Sequence, residues 1–311
     1  MRSYFATGKV MLTGEYLVMN GFDCIALPSK LGQWMHVWEF ETPTESSDFI
    51  MYQAKEVNSN VWFETKILLP NFEIVDPTQV ENIQVDRLVG VLKLADSEFW
   101  QAGKSIRIET VLEFERTSGL GSSSTLVKLF SDYLSVDPFK IQFEIFGGSG
   151  YDVAIAQLQK PMVYSLTPDN SNWKYWKLDK SLTENWHVVF YGEKMDSRAS
   201  VSAVQDALND IAEDDFYTAQ FDKILEMSKS ATDIISLESS LEMYQMLLAQ
   251  ALFMPTTYDL LGIKPVNKGL CKWLGAWGGD MILVNQAILD AYPRAFENFN
   301  TVKWNDLVIN E

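Results

Sequence analysis

The sequence predicts an α+β protein of two domains. Three observations predict it: some segments alternate apolar and polar residues with period two, others space apolar residues at helical intervals, and the two kinds are intermixed along the chain. A polar, turn-rich stretch near the middle, "TPDNSNW" (167–173), supplies the expected boundary between 1–170 and 171–311. At 311 residues and 47% hydrophobic content, the chain is long enough to fill one large core or two ordinary ones.

The elements follow in order. "ENIQVDRLVGVLKLA" (81–95) places Ile83, Leu88, Val91 and Leu92 at helical spacing. "SIRIETVLEFE" (105–115) sets Ile106, Ile108, Leu112 and Phe114 against Arg107, Glu109, Glu113 and Glu115, the pattern of a half-buried strand. The short apolar runs "WHVVFYG" (186–192) and "GDMILV" (279–284) read as strands. Residues 204–254 read as largely helical, with the strongest pattern in "ESSLEMYQMLLAQALFM" (238–254).

Composition narrows the function. The formal net charge of -17 argues against nucleic acid or an anionic membrane as partner, since both attract basic surfaces. A small anionic ligand would need a local basic pocket. The N-terminus has no continuous apolar run of the kind a secretory signal carries, and no stretch approaches the roughly 18 uncharged apolar residues of a membrane helix. A cytoplasmic location is the expectation. Two cysteines, Cys24 and Cys271, and two histidines, His36 and His187, form neither a disulfide framework nor a zinc-ligand pattern.

Glycine-rich loops carry the chemical signal. "SGLGSSSTLVK" (118–128) follows a strand and precedes a helical pattern, so several backbone N–H groups and a helix N-terminus would converge on one spot. Gly119 and Gly121 would let a phosphate approach the backbone, and the hydroxyls of Ser122, Ser123 and Ser124 could donate to it or coordinate magnesium. An ordinary helix with an N-cap serine is the alternative. "AGKS" (102–105) is a decoy: a phosphate-binding P-loop needs glycine where this chain has Glu98, and a helix where it has a strand. "GGSGYDVAIAQ" (147–157) puts Asp152 at the start of an apolar segment, either as a carboxylate favoured by the helix dipole or as one presented to a substrate hydroxyl. "LGAWGGDMILV" (274–284) is a third glycine-rich turn.

These loops, preceded by "ATGKVMLTGEYLVMNG" (6–21), resemble the GHMP kinases in order and spacing over nearly the full length. Within that family, "GEY", "GSGYDVA" and "GAWGGD" look most like phosphomevalonate kinases, then mevalonate kinases, and "GGSGYDVA" also resembles the bacterial GYDIA-type subgroup. The departures are Thr7 for the usual proline, Thr125 for the usual alanine, and Trp277 inside the last glycine run.

The resemblance implies an S5-like N-terminal domain, a ferredoxin-like C-terminal domain and an active site between them. It implies ATP and Mg²⁺ as cofactors and a small anionic acceptor, phosphomevalonate or mevalonate first. A diphosphomevalonate decarboxylase, a homoserine or sugar kinase, and a non-catalytic ligand sensor are the alternatives, and a homodimer is left open. By match to the family motifs, Asp152 and Lys9 are the catalytic pair. Gly119, Leu120, Gly121, Ser122, Ser123 and Ser124 hold the nucleotide, with Ser122 or Ser123 on the metal. Glu144 is the nearest acid to a family metal ligand, at a spacing that suits a solvated helix face better. Glu15 either orients substrate or holds local structure. Gly150, Tyr151, Gly275, Ala276, Gly278 and Gly279 fall in the substrate-facing segments, and Arg198, with Lys194, either supplies positive charge or belongs to a polar connection.

Overall fold

The computed structural model describes residues 1–42, 47–75, 82–100, 102–167, 170–192, 204–275 and 281–311. The chain divides into two compact units, each assembled from several segments. Met1–Gly8, Leu31–Arg116 and Gly121–Gln157 form the first, and Lys9–Lys30, Thr117–Leu120 and Leu158–Glu311 form the second.

The first unit is a mixed sheet covered by helices. It draws on β1 (Arg2–Thr13) and β2 (Cys24–Glu41), both of which continue into the second unit, and on β3 (Phe49–Lys55), β4 (Val61–Leu68), β5 (Glu73–Ile74) and β6 (Lys104–Leu112). Strands run in the order β5-β4-β3-β6-β2, with β3 and β6 parallel and the other neighbours antiparallel. The period-two pattern forms β6 as expected, but pairing stops at Leu112. There Glu113 turns its carboxylate to the Gly32 N–H at 3.0 Å and the Trp34 indole at 2.9 Å, while Phe114 stays buried.

Helices α1 (Asn82–Lys93), α2 (Ser122–Leu134), α3 (Pro138–Ile141) and α4 (Tyr151–Leu158) complete the unit. One face of α1 buries Val85, Leu88, Val91 and Leu92, while Ile83 points to solvent, so Val85 takes the core position that the spacing gave to Ile83. Val127, Leu129, Phe130 and Tyr133 of α2 join the same cluster with Met35, Val37, Ile50, Tyr52, Ile106 and Ile108. Each such burial stabilises by about 1.5–3 kcal/mol, which is what fixes the start of α2 against the sheet.

The second unit holds a four-stranded antiparallel sheet, β10-β11-β9-β12, from β9 (Trp186–Phe190), β10 (Cys271–Leu274), β11 (Met281–Asn285) and β12 (Asn300–Lys303). Helices α5 (Gln205–Glu213), α6 (Asp215–Ser230), α7 (Ile234–Ala251) and α8 (Thr257–Leu261) separate β9 from β10, and α9 (Gln286–Ala291) lies between β11 and β12. First and third strands are central, the ferredoxin-like order. Asp233 caps α7 by accepting from the Ser236 N–H at 2.9 Å, and Leu237, Leu241, Tyr244 and Leu248 are buried along it.

The described residues of the stretch 167–173 fall within the Leu158–Glu311 segment of the second unit. These residues, 167 and 170–173, belong to β7 (Met162–Thr167) and β8 (Asn170–Tyr175), which pair antiparallel from Met162↔Tyr175 to Thr167↔Asn170, while Pro168 and Asp169 lie outside the described residues. β7 pairs in turn with Cys24–Ala26 of β2. Turn-forming residues mark tight reversals as readily as linkers, and composition alone does not separate the two. No helix among the described residues is long and apolar enough to cross a membrane.

Candidate functional site

The serine loop opens α2 through backbone geometry that glycine makes accessible. Gly119 has φ 75°, and Gly121, the N-cap, has φ 90° and ψ 49°, both in the left-handed region. Because the cap has no side chain, the amides at the start of this 13-residue helix receive no side-chain cap. The Gly121 carbonyl accepts both the Thr125 N–H at 3.1 Å and the Ser124 hydroxyl at 2.9 Å. Ser124 is fully buried, so its hydroxyl belongs to the loop's own bracing, whereas Ser122 is half-buried and Ser123 exposed. Thr125, also fully buried, aims its hydroxyl at the Gln33 amide oxygen at 2.7 Å and the Ser122 carbonyl at 3.0 Å.

Asp152 is the second residue of α4, half-buried, in the turn where the helix dipole is positive. Its Oδ1 accepts from the Val153 N–H at 3.0 Å. The preceding glycines are conformational requirements: Gly147, Gly148 and Gly150 have φ of 70°, 93° and 78°. A side chain at Gly150 would also meet Phe143 at 3.3 Å and Phe139 at 3.4 Å, while Tyr151 is half-buried. Glu144 lies exposed on the π-helical turn Gln142–Phe146.

In the second unit, Lys9 sits on β1 with only 9% of its surface exposed, so it is not an ordinary solvent-facing lysine. Its backbone N–H donates to the Leu120 carbonyl at 2.8 Å, and the Leu120 N–H reaches the Ser118 hydroxyl at 3.3 Å. Leu120 is fully buried and thus anchors its end of the loop.

Glu15 follows β1 in a tight turn. Gly14 before it has φ 101°, and a Cβ there would lie 2.1 Å from the Cys24 Cβ. Tyr16 after it has φ 62°. The Glu15 carboxylate pairs with the ammonium of Lys272 on β10, with side-chain exposures of 1% and 2%. Burial pushes the Glu15 carboxyl above its ordinary range, against the opposing charge of Lys272. β10 ends at Leu274, and the residue that follows, Gly275, is buried with φ 88°. Sequence reading did not single out Lys272, although a lysine inside the apolar run "LCKWL" was a visible signal. Arg198 and Lys194, with Ala276, Trp277, Gly278, Gly279 and Asp280, lie outside the described residues.

No protein-family model matches the chain, and no curated protein matches it. Solved structures do. Mevalonate kinase from Methanococcus jannaschii superposes with a TM-score of 0.67 at 14% identity, covering 97% of this chain and 96% of that one. Phosphomevalonate kinase from Streptococcus pneumoniae, in complex with phosphomevalonate and AMPPNP, gives 0.67 at 13%, covering 98% of each chain. The fold is that of the GHMP kinases. Galactokinase from Lactococcus lactis, complexed with galactose, shares the GHMP fold with a TM-score of 0.64 at 13% identity, over 99% of this chain and 93% of that one.

Proposed function

We propose that the chain is an ATP- and Mg²⁺-dependent small-molecule kinase. It transfers the γ-phosphoryl group to a hydroxyl or phosphate oxygen of an anionic metabolite, with phosphomevalonate or mevalonate as the first candidates. The observation that carries this reading is the start of α2: a glycine N-cap leaves the first amides without a side-chain cap, on a GHMP kinase fold. Unpaired amides with a positive macrodipole suit phosphate oxygens.

The roles follow from residue chemistry. Amides at Ser122, Ser123 and Ser124 hold phosphate oxygens, and Gly119 and Gly121 keep that approach free of side chains. The Ser122 and Ser123 hydroxyls would hold a magnesium ion, which would supply neutralisation of phosphate charge. Asp152 accepts the proton of an attacking hydroxyl as the new O–P bond forms and the bond to the departing ADP breaks. Lys9 stabilises the negative charge of the transferred group. Arg198 and the last glycine turn complete the substrate contacts in this reading.

The test is ADP release with ATP and Mg²⁺ over mevalonate, phosphomevalonate, diphosphomevalonate, homoserine and galactose. Fast turnover on one acceptor is expected, and CO₂ release would identify the decarboxylase alternative. ATP binding with no turnover on any acceptor would count against a kinase for these substrates and for a ligand sensor.

A further inference from the structure

The second unit spends a fully buried lysine on a place where an apolar side chain would be cheaper. Lys272 Nζ contacts the Glu15 carboxylate, donates to the Trp273 carbonyl at 2.8 Å and lies 5.7 Å from the centre of the Tyr244 ring. The Tyr244 hydroxyl accepts the Gly14 N–H at 3.0 Å. So the turn Gly14–Tyr16 is held at consecutive residues, Gly14 by α7 and Glu15 by β10. Burying two charges is costly, and well-packed apolar substitutes are often as stable or more so. Stability is therefore a poor reason for the pair, and fixing one arrangement of the backbone is a better one.

Two functional segments hang on that arrangement. Five residues upstream of Gly14, on the strand that leads into the turn, is Lys9, whose N–H holds the Leu120 carbonyl and with it the end of the serine loop. Three residues downstream of Lys272 is Gly275, where β10 leaves the sheet with φ 88°.

We propose that Lys272 is a positioning residue. Through Glu15 it couples the Gly14–Tyr16 turn to β10, so that Lys9, Leu120 and Gly275 keep a fixed geometry within the unit. The coupling itself is independent of the activity; its catalytic consequence rests on the kinase reading above.

Two measurements test it. Amide hydrogen exchange on Lys272→Met is expected to rise in both Gly14–Asn20 and Cys271–Leu274, whereas a rise confined to the neighbours of residue 272 would overturn the coupling. The double variant Glu15→Leu/Lys272→Met serves where the single variant does not fold. It is expected to match the unaltered protein in Tm while kcat stays roughly tenfold or more lower, with the KM for ATP little changed. Recovery of both Tm and kcat would reduce the pair to packing and overturn the positioning role. Absence of phosphoryl transfer by the unaltered protein would instead defeat the kinase reading, and the exchange pattern would still decide the coupling.

Discussion

The Thr125 hydroxyl donates to the Gln33 amide oxygen at 2.7 Å, joining the first turn of α2 to β2 with both residues buried. The hydroxyl is matched by a polar partner 92 residues away in sequence. Thr125→Val keeps the volume and leaves the Gln33 oxygen without this donor. A loss of about 1–3 kcal/mol in unfolding free energy is expected from urea titration, most of it recovered by adding Gln33→Leu. A single variant as stable as the parent would mean that the bond contributes nothing.

Gly14 and Gly103 give a matched pair of tests for backbone constraint. Both have positive φ, 101° and 82°, but a Cβ at Gly14 would strike Cys24 whereas one at Gly103 meets nothing within 4 Å. Gly103→Ala should cost about 1 kcal/mol through conformation alone. Gly14→Ala should exceed about 4 kcal/mol and reduce soluble yield, because the colliding atoms belong to a neighbouring strand with no flexible end to swing away. Equal midpoints in urea for the two variants would contradict the close approach of β1 and β2 at this turn.

Much of this arrangement was legible in the sequence, for identifiable reasons. Strands such as β6 and helices such as α1 and α7 follow from periodicity, because each buries one face. The glycines of the serine loop and of "GGSGYD" marked turns, which prove to be left-handed and to place Ser122 and Asp152 at helix starts. What periodicity could not supply is partnership at a distance. Lys272 meets Glu15 across 257 residues, and Thr125 meets Gln33 across 92, both through the topology of the fold. "TPDNSNW" is ambiguous for a related reason: turn-rich composition fits a hairpin and a linker equally, and the pairing of β7 with β8 is again a contact between segments.

Buried carboxylates set an expected pH dependence of stability. Burial pushes Glu15, Glu238 and Glu242 above their ordinary value of 4.5, and burial with nearby Asp23 and Glu226 raises Asp222. Above pH 4.5 the folded state retains protons that the unfolded chain has released, so stability falls as pH rises through the folded-state values. His187, lowered by burial, works the other way below pH 6.5, and it is one group against four. Exposed Asp179, Asp233 and Asp259, lowered by hydrogen bonds from Ser181, Ser236 and Thr256, lose their contribution only as pH drops below about 3.8. Self-repulsion at a net charge of -17 adds to the alkaline loss. Tm should therefore fall as pH rises above 4.5, and a Tm that rises instead would show that the buried carboxylates are stabilised as anions.

Asp152→Asn separates two acceptor chemistries. A hydroxyl acceptor must lose its proton during transfer, and general-base help is worth about 10²–10⁴ in rate. A phosphate monoester has its second pKa near 6, so at pH 8 its oxygen is already anionic and needs no base. If the acceptor is mevalonate, the variant should lose about a hundredfold or more in kcat while ATP affinity, read by fluorescence or calorimetry, holds. If it is phosphomevalonate, the loss should be smaller, because only positioning is removed, and it should grow as pH falls through about 6 and the acceptor protonates. Gly121→Val is the control for the other half of the site: a side chain at φ 90° distorts the start of α2, and nucleotide affinity rather than turnover alone should collapse. Undiminished ATP binding in a folded Gly121→Val variant would remove the start of α2 from the nucleotide site, and near-normal turnover in Asp152→Asn on a hydroxyl acceptor would remove Asp152 from the chemistry.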